Sequence, residues 1–337
     1  MTGKQLERLA TERFGLRPTA PLRTMHAGNI NRTVVVDTDD GAVVLQEMNV
    51  DVFSNPKALM SNTAKILERQ REHNLPALSF LRTAEGEWLA DLDGIPWRCY
   101  RFVDGDACEP ILTADDAQRT ARAFGRFARA VDGLELIEHM DGYHDFDARI
   151  GAFEEAVHAD ELDRADYCSA TIEDLLAVVD RLRLSNGYGA LKSVPVRIAH
   201  NDAKGPNCVV GPTGSRTIID LDTTMPGTVL SDIGELVRSS TRNLPLASPE
   251  QLMGQIEAVN RGFLAGYGAD LTPGERDAML LAGPLMASEN AARFLADHLS
   301  GDKYFGADSP NQNLDRAQAQ LHLGHRLIAA IEWATVG

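Results

Sequence analysis

Apolar residues recur with a helical period across residues 4–14, then change to runs and alternation at 33–36 and 42–48. The polar stretch Asp37-Thr38-Asp39-Asp40-Gly41 separates those two runs, so they predict a β-hairpin with a long turn. Helical spacing returns near residues 56–71, and strands ending over 97–103 complete a small sheet. Asp104-Gly105-Asp106 reads as a hinge, beyond which the pattern is helical. Thr113, with Asp116 three residues on, caps a helix whose apolar row is Ala117, Ala121, Phe124, Ala128 and Val131. Thr272-Pro273-Gly274-Glu275 opens another long helix, with proline at its first position. The expectation is an α+β chain with a small antiparallel-sheet lobe over residues 1–103 and a larger, mainly helical lobe over 104–337. No internal repeat and no low-complexity linker interrupts it.

Composition narrows the class. A chain of 337 residues that is 44% hydrophobic, without a long apolar run, has enough material for two cores and no membrane span. Its formal charge of -16 argues against nucleic acid or an anionic membrane as partner. Residues 1–9 are too polar for a signal peptide, which suits a cytoplasmic metabolic enzyme acting as monomer or homodimer on a small molecule. Cys99, Cys108, Cys168 and Cys208 lack metal-type spacing and read as buried free thiols.

The chemistry concentrates in His200-Asn201-Asp202-Ala203-Lys204-Gly205-Pro206-Asn207, followed by Ile218-Ile219-Asp220-Leu221-Asp222. Apolar runs at 194–199 and 208–210 read as short buried segments holding a polar loop between them, and Gly211-Pro212-Thr213-Gly214 as a hairpin turn. H-x-D, four residues, then Asn is the order used for phosphoryl transfer: a base, a first metal ligand, and later a second. Asp202 accordingly takes the hydroxyl proton, while Asn207 and Asp220 hold Mg2+. Asn, Asp, Gly and Pro also favour solvated turns, but both halves in the right order favour the catalytic reading. His200 reads as an orienting or core histidine, because Asp202 already fills the base position.

On these residues the chain resembles the aminoglycoside phosphotransferase and choline kinase group, and within it the N-acetylhexosamine 1-kinases. Further segments carry the narrower likeness: Gly28-Asn29-Ile30-Asn31 with Val43-Val44-Leu45-Gln46 and Asn49; Trp97-Arg98-Cys99-Tyr100-Arg101-Phe102; Met225-Pro226-Gly227; and Arg293-Phe294-Leu295-Ala296-Asp297 with Gly301-Asp302-Lys303-Tyr304-Phe305. The resemblance implies a protein-kinase-like two-lobe fold, ATP and Mg2+ as cofactors, and transfer to the anomeric hydroxyl of an N-acetylhexosamine. It places ATP between the lobes, adenine against residues 101–105, including Arg101 and Val103, and phosphates under residues 27–31. Gly28, Asn29 and Asn31 belong to that turn, where glycine lets backbone amides approach phosphate, though the same residues make ordinary turns.

One position departs from the pattern. Where much of the superfamily has a lysine on the third strand, this chain has Gln46, and a neutral amide cannot neutralise phosphate as an ammonium does. Lys57, Lys65, Arg98 and Arg101 are the candidate substitutes; without one, the chain is a nucleotide-binding pseudokinase.

The C-terminal part supplies acceptor contacts. Glu289, Arg293 and Asp297 recur every four residues, with Asp302 and Tyr304 in the loop that follows. They form either a surface ladder of ion pairs or a row that brackets sugar hydroxyls, and the resemblance favours Arg293 and Tyr304 as sugar contacts. Asn29 is a further acceptor contact, and Tyr143-His144-Asp145 another candidate. Lys204 steadies the transferred phosphate. Asp232 either ties down the catalytic loop or complements its own helix. A kinase of another small alcohol, such as an aminoglycoside, choline, homoserine or a different sugar, would keep Asp202, Asn207 and Asp220 and change only this pocket.

Overall fold

The computed structural model describes residues 2–25, 31–140, 142–185 and 187–336. The chain divides into two compact units, one of residues 1–106, 134–139 and 209–222, the other of 107–133, 140–208 and 223–337.

The first unit is built on an antiparallel sheet in the order Arg23–Met25, Thr33–Val36, Val43–Glu47, Ile95–Arg101, Phe80–Leu81, with Ala90–Leu92 also paired to Ile95–Arg101. The hairpin forms with Thr33 opposite Gln46 and Val36 opposite Val43. Side chains alternate across a strand, so Val34, Val36, Val43, Leu45, Trp97 and Cys99 share one face. That face packs against Leu6, Leu9 and Phe14 of the N-terminal helical segment. Each large apolar side chain so buried contributes about 1.5–3 kcal/mol. The segment is a helix over Gly3–Arg8, capped by Thr2 and Gln5, that widens to a π-helical turn over Leu9–Arg13. The same alternation sends Gln46 and its cross-strand partner Arg98 to the opposite face.

The second unit is mainly helical. Ala114–Val131, capped by Thr113, buries the apolar row read from the sequence and lies along Pro249–Tyr267. A Cβ on Gly125 or Gly262 would strike the main-chain oxygen of Phe263 or Gln118, so only glycine allows this approach. Pro273–Leu299 starts with the Thr272/Glu275 capping box and contacts Gln312–Val336, Val229–Thr241 and Phe146–Ala159. A core around Ile150, Phe153, Leu175, Leu295 and Leu299 fills the space between these helices.

Two short strands of this unit, Arg197–Ala199 and Met225–Gly227, pair antiparallel with Ala199 opposite Met225. The apolar run at 194–199 is therefore only half strand. Met225–Gly227 offers partners to residues 197–199 alone, and Val196 is 75% exposed. Cys99, Cys168 and Cys208 are buried as expected, whereas Cys108 is half-buried. Among the described residues no helix is long and apolar enough to cross a membrane.

Candidate active site

The polar loop that carries Asp202 leaves the strand Arg197–Ala199 at His200, and Asn201 supplies several of the hydrogen bonds that hold it. Asn201 has φ +60, a left-handed conformation that asparagine tolerates better than most residues. Its main-chain N–H donates to Oδ1 of Asp232 at 2.8 Å, and the N–H of His200 donates to Oδ2 of the same carboxylate at 3.0 Å. Its side-chain Nδ2 donates to the carbonyls of Thr223 and Ala199, and its Oδ1 accepts from the Ser231 hydroxyl at 3.0 Å. Thr223 Oγ1 completes the clamp by donating to the His200 carbonyl at 2.8 Å. A Cβ on Gly227 would sit 2.6 Å from Asn201 Oδ1, so glycine is needed beneath this carboxamide.

Asp232 is fully buried at the start of Val229–Thr241, and burial pushes its carboxyl up to about 7, against the two N–H donors that favour the carboxylate. The N-cap of this helix is Thr228, and Asp232 lies in its first turn.

Within the clamped loop, Asn207 Nδ2 donates both to the main-chain oxygen of Asp202 at 2.9 Å and to its Oδ2 at 2.8 Å. Lys204 Nζ reaches the same Oδ2 at 2.8 Å. The carboxylate is thus fixed from one side. His200 has no exposed surface, sits edge-on to Phe124 and Phe127, and accepts the Asp202 N–H at Nδ1, as an orienting core histidine does.

The helix Pro273–Leu299 turns the row Glu289, Arg293, Asp297 inward. Glu289 and Asp297 are 3% and 7% exposed, which removes the surface-ladder alternative. Glu289 Oε1 lies 2.7 Å from Nδ1 of His144. Arg293 stands over the rings of Tyr143, Phe305 and Tyr304 at 5.2, 5.4 and 6.0 Å. Burial pushes the Tyr143 phenol up to about 12; Arg293 opposes the shift and Asp202 adds to it. Asp297 accepts the main-chain N–H groups of Tyr304 at 2.8 Å and Phe305 at 2.9 Å, so its carboxylate shapes the loop that presents Tyr304. Asp302 is tied to Arg164 and Asn313, and Asp145 caps Phe146–Ala159. Tyr304 itself is 60% exposed.

The first unit carries the other motif half. Asp220 follows the strand Arg216–Ile218, is exposed, and has φ +59. Two residues on, Asp222 is buried and receives a two-pronged contact from Arg98, at 2.6 and 2.8 Å. Asn31 Nδ2 donates to Asp222 Oδ2 at 2.9 Å, and His139 Nε2 donates to its carbonyl at 2.6 Å. Gln46 Oε1 accepts from Arg98 Nε at 2.9 Å. Burial works against the Arg98 charge, but Asp222 outweighs it and raises the guanidinium above its ordinary value. Of the four candidate cations, Arg98 is the one set against Gln46; Lys65 donates to Glu135, Arg101 to Asp40, and Lys57 is exposed. Val103 is half-buried, and Gly28 and Asn29 lie outside the described residues.

Sequence reasoning missed the roles of Asn201, His144 and Asp222. Asn201 and Asp222 stood inside the quoted motifs, and their burial was the signal that periodicity does not carry.

A family model described as the phosphotransferase enzyme family matches residues 21–279. Among solved structures, the chain is similar to a spectinomycin phosphotransferase in complex with ADP and spectinomycin, at 13% identity over 98% of each chain, TM-score 0.64. It is also similar to an amicoumacin kinase in complex with AMP-PNP and Ca2+, at 14% identity over 97% of this chain and 94% of that one, TM-score 0.65. A choline kinase from Streptococcus pneumoniae matches at 14% identity over 96% and 98%, TM-score 0.59. At such identities the likeness is one of fold: α+β and protein-kinase-like, with a small antiparallel sheet and a larger helical part.

Proposed function

Because the chain belongs to the phosphotransferase enzyme family, and is on that ground an ATP-dependent small-molecule kinase or phosphotransferase, we propose that it transfers the γ-phosphoryl group of ATP to the anomeric hydroxyl of an N-acetylhexosamine. The observation that carries this reading is the Asp202 carboxylate, with Oδ2 held by Asn207 and Lys204 at 2.8 Å each. Oδ1 is then the atom that accepts the hydroxyl proton as the new O–P bond forms and ADP leaves with the electrons of the old one. An anomeric hydroxyl is more acidic than an ordinary alcohol, so a carboxylate suffices late in a loose transition state.

Asn207 and Asp220 would hold Mg2+. The Asn207 amide nitrogen is spent on Asp202, which leaves its oxygen as the ligand end, and oxygen donors suit a hard cation. When bound, Mg2+ neutralises charge on the phosphates. Lys204 adds an ammonium for the transferred group.

We assign residues 1–103 to nucleotide binding, through Gly28, Asn29, Asn31, Gln46, Arg101 and Val103, and 104–337 to catalysis and acceptor binding. Arg293 and Tyr304 meet the sugar, with Asp297 holding the Tyr304 loop and Asn29 adding a contact. A kinase of another small alcohol is the second reading, supported by the fold shared with spectinomycin phosphotransferase and choline kinase. The test is ADP release from MgATP across N-acetylglucosamine, N-acetylgalactosamine, glucose, choline, homoserine and kanamycin, with phosphorus NMR of any product. A sugar 1-phosphate from an N-acetylhexosamine is expected. Another product moves the acceptor assignment, and ATP binding without turnover returns the pseudokinase reading built on Gln46.

A further inference from the structure

Both ring nitrogens of His144 face acceptors. Nδ1 lies 2.7 Å from Glu289 Oε1, and Nε2 lies 2.8 Å from the carbonyl oxygen of Asn201. A carbonyl cannot donate, so Nε2 carries a hydrogen, and a neutral ring would then point the Nδ1 lone pair at a carboxylate. The contact needs one proton more than a neutral histidine and an ionised glutamate supply. Little water reaches it, since the two side chains are 10% and 4% exposed.

The contact with Glu289 favours putting that proton on the ring. On Pro273–Leu299, Glu289 is the anion in contact with the ring and Arg293 the cation that opposes it; on Val229–Thr241, the Asp232 carboxyl is itself raised to about 7 and Glu235 is paired with Arg238. Burial alone would lower the histidine; Glu289 outweighs it and raises it above its ordinary value.

What His144 holds is the peptide that joins Asn201 to Asp202. The carbonyl of that peptide accepts from His144, and its N–H, that of Asp202, donates to His200 Nδ1 at 3.3 Å. We propose that His144, kept as an imidazolium by Glu289, is a positioning residue for the phosphoryl transfer. It fixes the Asn201–Asp202 peptide plane and with it the angle at which Asp202 meets the acceptor. The consequence for turnover rests on the reading of Asp202 given above, whereas the protonation of His144 does not.

Raising the pH removes the ring proton, so one of the two contacts becomes a meeting of lone pairs and the peptide is released. Glu289→Gln changes this requirement. A glutamine amide donates to Nδ1 while a neutral ring keeps its Nε2 hydrogen for Asn201.

The experiment is nitrogen NMR of the histidine rings in the full chain across neutral and alkaline pH, in wild type and Glu289→Gln, with His144→Leu identifying the signals. The same samples are assayed for MgATP turnover with N-acetylglucosamine and N-acetylgalactosamine as probes. We expect two protonated ring nitrogens at neutral pH in wild type and one in Glu289→Gln, whose kcat profile lacks the alkaline limb. His144→Leu loses about 10- to 100-fold in kcat, with KM for MgATP unchanged. A single protonated ring nitrogen in wild type at neutral pH, or wild-type kcat in His144→Leu, overturns the proposal. If wild type turns over neither N-acetylglucosamine nor N-acetylgalactosamine, the acceptor reading fails, and the ring signals still decide the state of His144.

Discussion

Oδ1 of Asp232 lies 2.8 Å from the main-chain nitrogen of Asn201, so one buried carboxylate holds the residue that precedes Asp202. Asp232→Asn keeps the shape but turns an amide NH2 toward one of two N–H donors. Stability falls by roughly 1–3 kcal/mol, the cost of an unsatisfied buried group. The kcat falls about 10- to 100-fold, as for other residues that orient a reacting group, while nucleotide affinity is kept. Urea unfolding and steady-state kinetics check this, and a variant with unchanged kcat would remove Asp232 from the positioning of the loop.

Gly227 supports Asn201 from below. The Cβ introduced by Gly227→Ala would lie 2.6 Å from Asn201 Oδ1, so the carboxamide must leave its partners. The expected cost is about 1–3 kcal/mol, as for other overpacked sites, with kcat reduced at least tenfold. Gly254→Ala is the control, because nothing lies within 4 Å of its Cβ on the helix Pro249–Tyr267. That control is neutral or more stable, since alanine is the better helix former by up to about 1 kcal/mol.

The caps and hairpins that the sequence announces are local: Thr113, Thr272 with Glu275, and the 33–47 hairpin each depend on residues a few positions apart. The spacing of Asp202 and Asn207 is equally local, and their contact closes within five residues. Asn201 and Asp232 are separated by 31 residues, and His144 and Glu289 by 145, so no periodicity joins them. The every-four spacing of Glu289, Arg293 and Asp297 puts them on one helical face without saying that the face turns inward. Gln46 looked like a missing cation because strand register is invisible in one strand; only the pairing with Ile95–Arg101 sets Arg98 opposite it.

That pairing yields a stability test. Arg98 and Asp222 have side chains 4% and 3% exposed, so removing one leaves the other charged and buried. Arg98→Met or Asp222→Leu alone costs about 3–5 kcal/mol, and the double variant recovers much of it. Gln46→Lys, which places the lysine expected on the third strand, sets a second cation against Arg98 Nε, now 2.9 Å from the Gln46 oxygen. We expect lower stability and no gain in activity from it. Additive losses in the double variant would show that Arg98 and Asp222 act separately.

Burial pushes the Cys99 thiol up to about 12. Its folded value lies above its unfolded one, so the stability this thiol contributes is complete below the ordinary thiol range. It is lost as pH rises through about 12. In mildly alkaline iodoacetamide, mass spectrometry finds the half-buried Cys108 labelled first and Cys99 only after unfolding in urea. Labelling of Cys99 in the folded chain at the unfolded rate would contradict its burial in the sheet core.

In the proposed reaction Asp202 takes the proton of the acceptor hydroxyl. Asp202→Asn keeps a side chain of the same shape within reach of Asn207 and Lys204 but cannot accept that proton. The direct measurement is ADP formation in a single turnover of the acceptor that responds in wild type, beside MgATP affinity by calorimetry. Turnover is expected to fall by at least about 100-fold with affinity largely unchanged. Near wild-type turnover in Asp202→Asn would contradict that role.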